Sequence, residues 1–109
     1  MAAKLQELGR WSEPGLLVLS SLAGGEKHGY AMVSDIEEMA GVHLGPGTLY
    51  GALSRLEEQG LIVALAAEGR RRPYRLTGAG ARILREQLTT IAAVADTGLS
   101  RLRAAGATA

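Results

Sequence analysis

The chain has 109 residues, is 47% hydrophobic but only 4% aromatic, and carries a formal net charge of +1. That length holds one domain and one core; with no Phe and no Cys, the core must be aliphatic, and disulfides and thiol chemistry are excluded. No apolar run approaches the ~20 residues of a membrane span, and the N-terminus, with Lys4 and Glu7, does not read as a secretory leader, so a cytoplasmic globular domain that engages no membrane is expected.

In chain order, residues 1–11 read as a weak amphipathic helix, with Leu5 and Leu8 on one face and Gly9 as a stop. Ser12-Glu13-Pro14 predicts a helix start, with Ser12 as cap and Pro14 in the first turn; Leu16, Leu17, Leu19, Ser20 and Leu22 follow until Gly24-Gly25. A second helix runs from Gly29 to Gly41, with Met32, Val33, Ile36, Met39 and Ala40 as its apolar stripe and Glu37 and Glu38 facing out. Gly45-Pro46-Gly47-Thr48 opens a third, which Gly60 closes. Its Leu49, Leu53 and Leu56 follow the spacing of one buried face, leaving Thr48, Gly51, Ala52, Ser54 and Arg55 on the rest. Leu61–Leu65 and Arg72–Leu76 predict two strands joined by a turn at Gly69, and Pro73 predicts an edge position for the second. Thr77 caps a last helix from Gly78 to about Ala105. Along it, Leu84, Leu88, Ile91, Ala95 and Leu102 form a heptad-like seam.

The fold class that follows is mainly α, with a small β-hairpin: a winged helix-turn-helix over residues 1–77 and a long C-terminal helix over 78–109. Charge is unevenly spread. Residues 26–45 sum to −3 (Lys27 against Glu26, Asp35, Glu37 and Glu38), whereas residues 46–82 sum to +3 (Arg55, Arg70, Arg71, Arg72, Arg75 and Arg82 against Glu57, Glu58 and Glu68). Every cation in the second stretch is Arg, which suits forked contacts to phosphate and guanine. A surface helix that needed only solubility would carry more Lys and Glu than the third helix does; its small outer face suits close approach to another surface, such as a major groove ~12 Å wide. In such a helix the residues that read base edges are near its N-terminus: Pro46, Gly47, Thr48 and Tyr50, then Gly51, Ser54 and Arg55. The hairpin tip would bring Arg70, Arg71 and Arg72 to a flanking phosphate or minor groove.

These residues also carry a resemblance. His28-Gly29-Tyr30, then Gly45-Pro46-Gly47-Thr48-Leu49-Tyr50-Gly51-Ala52-Leu53-Ser54-Arg55-Leu56-Glu57-Glu58-Gln59-Gly60-Leu61-Ile62, and Arg72-Pro73-Tyr74-Arg75-Leu76-Thr77-Gly78-Ala79-Gly80 after the hairpin, closely resemble the PadR family of transcriptional regulators, over roughly residues 14–90. The resemblance implies a homodimeric repressor of the smaller branch, with a single C-terminal helix that supplies most of the dimer contact together with the N-terminal helix. It implies DNA-contact roles for Tyr30, Thr48, Tyr50, Arg55 and Arg70 to Arg72. Many relatives carry Lys or Arg where this chain has Gly51 and Ser54, so its base-reading pattern differs.

Each of these residues has a plainer reading. Tyr30 either contacts phosphate or sets the angle between the first two helices; Tyr50 reads as a DNA contact and Tyr74 as packing. His28 and His43 lack a third ligand at metal spacing, so neither metal nor cofactor is expected, and no nucleophile or acid–base constellation points to an enzyme. The seam on the last helix either packs on its own domain or, since ~25 residues span ~38 Å, overhangs it and meets a second copy. The expected partners are double-stranded DNA bearing an inverted-repeat operator and a second copy of the chain; the resemblance also implies a small hydrophobic or phenolic effector near Trp11, the only Trp, which otherwise anchors the N-terminal segment to the dimer core. A winged helix used solely for protein–protein contact is the alternative; Arg70-Arg71-Arg72 beside a nearly uncharged helix face argues against it.

Overall fold

The computed structural model describes residues 13–106. In chain order the elements are α1 (Pro14–Leu22), β1 (Lys27–His28), α2 (Gly29–Ala40), α3 (Pro46–Glu58), β2 (Ile62–Ala64), β3 (Pro73–Leu76) and α4 (Gly78–Ala104). The first helix starts with Glu13 at the cap position and no side-chain cap; Ser12, Trp11 and the segment 1–11 lie outside the described residues.

α1 is the centre of the molecule. Leu16, Leu17, Val18, Leu19, Ser21 and Leu22 are all buried, and the helix is packed by α2, α3, α4 and β3. The run Leu16-Leu17-Val18-Leu19 therefore has no helical period: a helix covered on every side needs none. Ser21, rather than Ser20, turns inward. At 1% exposure its hydroxyl needs a partner, and it donates to Asp35 Oδ2 of α2 at 2.6 Å. Its carbonyl accepts from Lys27 Nζ at 2.5 Å.

Around α1 the apolar faces close as the spacing predicts, with two differences. On α2, Met32 and Ile36 are fully buried and Val33 packs against them, but Met39 is 48% exposed and Ala40 is exposed. The stripe ends a turn early because α2 runs past the core. On α3, Leu49, Leu53 and Leu56 are buried as expected, and so is Ala52, at 0% exposure.

The sheet is three-stranded, in the order β1-β3-β2 and antiparallel throughout. This corrects the expectation that Pro73 would place its strand at an edge. Lys27 pairs with Tyr74 and His28 with Pro73, so β3 is central. Pro73 is tolerated because it is the first residue of the strand, and β1 is only two residues long. Between β2 and β3, Glu68 and Arg71 exchange backbone hydrogen bonds at 2.6 and 3.0 Å, which leaves Gly69 and Arg70 as a two-residue turn. Gly69 has φ +65°, and among the described residues only glycines have a positive φ, the pattern of a hairpin turn with glycine first.

α4 is fastened at its start. Thr77 Oγ1 accepts from Gly80 N at 3.0 Å and donates to Gly60 O at 2.7 Å, while Thr77 N donates to Leu61 O at 3.1 Å. Gly80 is buried against Leu61 and Leu76. Past this joint α4 buries only Leu84, with Ile91 partly covered. No helix among the described residues is long and apolar enough to cross a membrane.

Two glycine substitutions separate these constraints. A Cβ on Gly80 collides with the Leu61 carbonyl and comes within 2.9 Å of Leu76 Cδ1, so Gly80→Ala should lower stability by about 2 kcal/mol or more. At Gly51 the nearest such atom is Arg55 Nη1 at 3.7 Å, so Gly51→Ala should raise stability by about 0.5–1 kcal/mol. Urea denaturation checks both; a neutral Gly80→Ala contradicts the joint.

Candidate nucleic-acid interface

The start of α3 stands open. Pro46 occupies the first turn, where its missing N–H leaves no bond unmade, and Pro46, Gly47 and Thr48 are exposed. Tyr50 is 54% exposed, Ser54 and Arg55 are exposed, and Gly51 is half-covered. Leu49 and Leu53, on the opposite side, are buried. The helix thus presents a small, polar, nearly uncharged ridge on a greasy base.

The expected site residues form two groups. Tyr30, Tyr50, Arg70, Arg71 and Arg72 line one cleft together with His28, Gly29 and Tyr74. Tyr30, at 77% exposure, does not set a helix angle; it stands at the rim. Arg55 lies apart, in a second groove with Glu13, Ala52 and Gln59. The Arg triplet also divides. Arg72 Nη1 donates to the Leu65 carbonyl at 2.8 Å and clasps the hairpin, whereas Arg70 sits at its turn and Arg71 leans toward His28.

Two features of the cleft, at His28 and Gly29, escape a reading of the sequence. His28 caps α2, its Nδ1 accepting from Ala31 N at 3.4 Å; its position just before the helix is a cap position, but His is not among the usual cap residues. Gly29 lies under the Tyr50 ring, where a Cβ would come within 2.9 Å of the hydroxyl and 3.2 Å of Leu49 Cδ2; glycine is what lets α2 and α3 meet there. Tyr74 packs against the core as a strand anchor. Burial holds its phenol above the ordinary 10.0; Glu57 and Tyr50 add to the shift and Arg72 opposes it, so the floor of the cleft is a neutral hydroxyl. At the far end of α2, His43 Nδ1 lies 3.3 Å from Glu37 Oε2, away from the arginines.

On α4 the seam residues also part company. Leu84 is 4% exposed and belongs to the domain's own core, so that position is already filled within one chain. Leu88 and Leu102 are 40% and 52% exposed, and Ala95 is exposed. Leu99 joins this stripe and Val94 borders it, both open; the sequence reading passed over both.

Three helices, a basic antiparallel hairpin and a long following helix make a winged helix-turn-helix, the architecture of a large class of transcription factors. The chain belongs to the transcriptional regulator PadR-like family, whose profile matches residues 18–86. It is 40% identical over 74 residues to a transcriptional regulator of Mycobacterium tuberculosis, covering 65% of this chain and 68% of that protein. It is 46% identical over 83 residues to an uncharacterized 37.1 kDa protein in a transposon of Streptomyces fradiae, but spans only 24% of that protein's length against 76% of its own. The fold matches the crystal structure of a PadR family transcriptional regulator from Eggerthella lenta with a TM-score of 0.72 at 35% identity, covering 90% of this chain and 87% of that one. The family and these named proteins are transcriptional regulators.

Proposed function

We propose that the chain is a sequence-specific DNA-binding repressor that binds an inverted repeat in double-stranded DNA as a homodimer and is released by a small hydrophobic or phenolic effector. The observation that carries this reading is the cleft itself, with two exposed tyrosines and the wing arginines beside the open first turn of α3. Thr48, Ser54 and Arg55, with Pro46, Gly47 and Gly51 allowing close approach, read base edges, while the Tyr50 hydroxyl serves the backbone. Tyr30, Arg70 and Arg71 hold the backbone, while Arg72 supports the hairpin. Phosphate contacts set register and base contacts set specificity, so the two groups differ in their response to salt and sequence. Arg70→Ala with Arg71→Ala should weaken binding to every duplex and lower the salt slope by up to about two units. Thr48→Ala or Arg55→Ala should instead cost about 1–3 kcal/mol, concentrated at particular base pairs. A double wing variant with full affinity for selected and bulk DNA would end this assignment.

Dimerisation is supported by the bare second half of α4. Leu88, Leu99 and Leu102 lie exposed at helical spacing on one side, and a stripe of that kind on a single chain calls for a covering partner. Two recognition helices about 34 Å apart then meet successive major grooves, which an inverted repeat requires. Leu99→Asp and Leu102→Asp, which touch nothing in the domain's own core, should leave the circular dichroism unchanged and produce monomers in sedimentation. Ile91, partly covered by that core, is the wrong residue for this test. A wild-type monomer at micromolar concentration contradicts the reading.

Effector release is supported by an apolar groove of about 510 Å³ lined by Ala23, Leu76, Ala81, Leu84, Leu88 and Ala92, with Arg85 and Thr89 at its polar edge. That size takes a small planar molecule. A phenolic ligand that acts should weaken operator binding saturably and, where Trp11 takes part, quench its fluorescence over the same concentration range. Quenching with unchanged DNA affinity would make the site incidental.

A further inference from the structure

The hydrogen bonding of His28 leaves a pair of donors unused. Its Nδ1 accepts the backbone N–H of Ala31 at 3.4 Å. A neutral imidazole has one proton for two ring nitrogens; with the Nδ1 lone pair given to the cap, the proton belongs on Nε2. That nitrogen points at the wing and lies 3.5 Å from Arg71 Nη1. A guanidinium donates and never accepts. Two donors therefore face each other across a gap that neither fills.

An oxyanion would satisfy both. One phosphodiester oxygen at ~2.8 Å from each nitrogen fits a donor separation of this size, and contact with the charged donor strengthens the bond. The surroundings agree. The two groups share a cleft of about 320 Å³ with Tyr30, Tyr50 and Arg70, and the lack of a side chain at Gly29 leaves room for the Tyr50 hydroxyl beside them.

We propose that this cleft is a socket for one backbone phosphate of the bound DNA, held by the Nε2–H of His28 and the guanidinium of Arg71 with the Tyr50 hydroxyl beside them, a role that rests on the DNA-binding reading above. The three groups come from the cap of α2, the wing and the first turn of α3. A single phosphate thus ties all three elements together and fixes the depth at which α3 enters the groove. His28 is a positioning contact: it carries no base information and, being neutral, displaces no counterion.

The test uses the full chain and a duplex selected by it from random-sequence DNA, prepared with one methylphosphonate at a time. His28→Ser keeps an oxygen that can cap Ala31 but removes the Nε2 donor. It should melt near the wild-type temperature and bind the unmodified duplex about 5-fold more weakly, with an unchanged salt slope. Arg71→Ala should weaken binding about 10-fold and lower the slope by about one. At one phosphate in each half-site, the methylphosphonate should weaken the wild type and erase both penalties together. His28→Asp, which also caps but sets a carboxylate against the phosphate, should bind more weakly than His28→Ser. The proposal is overturned if His28→Ser binds like the wild type, or if the two penalties persist on every modified duplex. Wild-type protein that binds no duplex at low salt overturns the DNA-binding reading with it, whereas salt-sensitive binding indifferent to His28 overturns the socket alone.

Discussion

Everything in this domain is arranged around a helix with no wet side. α1 buries six of its nine residues, so α2, α3, α4 and β3 must each turn an apolar surface inward to cover it, and their directions follow from that demand. Burial of this kind contributes about 1.5–3 kcal/mol for each large aliphatic side chain, but it is indifferent to orientation. Direction comes from Ser21, the one buried polar side chain among the described residues. The Ser21 hydroxyl is stranded without Asp35, and an unmatched buried hydroxyl costs about 1–3 kcal/mol; α2 is therefore held at the angle that keeps the bond. The same turn of α1 receives Lys27, which brings β1 into place beside β3.

The surface chemistry follows from how that interior is filled. Because α3 spends its leucines and Ala52 on the core, its outer face keeps Tyr50, a few small polar residues and a single cation, Arg55, and most of the positive charge has to come from elsewhere. The hairpin supplies it. Pairing of β3 with β1 carries the wing back against the cap of α2, and this is why Arg71 ends beside His28, 43 residues away in sequence. The absence of a side chain at Gly29 then allows Tyr50 to lie across the junction. A cleft made from three elements is thus a by-product of strand order as much as of side-chain choice.

Much of this was legible in the sequence. Periodic leucines located α3, Thr77 announced α4, and Gly69 marked the turn, because each is a local signal in which the residue and its backbone demand coincide. What the sequence reading lost is non-local. Two residues, Lys27 and His28, are too few to show an alternation, so β1 was invisible and Pro73 was placed at an edge. Val18 and Ser21 face inward because neighbours surround them, a fact about four other elements. Met39 was assigned to the core since period alone does not say where the core ends. For the site, the aromatic and Arg candidates were found by type and place, but the division of the Arg triplet and the part played by His28 depend on distances across the fold.

The joint at Thr77 and Gly80 has a mechanical consequence. It combines two side-chain bonds, a backbone bond and a close contact within four residues, so α4 is clamped to the wing root as a rigid arm ~40 Å long. Such an arm has no hinge at its base. A rotation of about 5° there displaces its tip by about 3.5 Å, and the reverse also holds: a modest shift imposed at the tip reaches the domain as a small, well-defined tilt. Whatever holds the free half of α4 therefore sets the attitude of the whole domain, α3 included, through the clamp at Thr77 and Gly80.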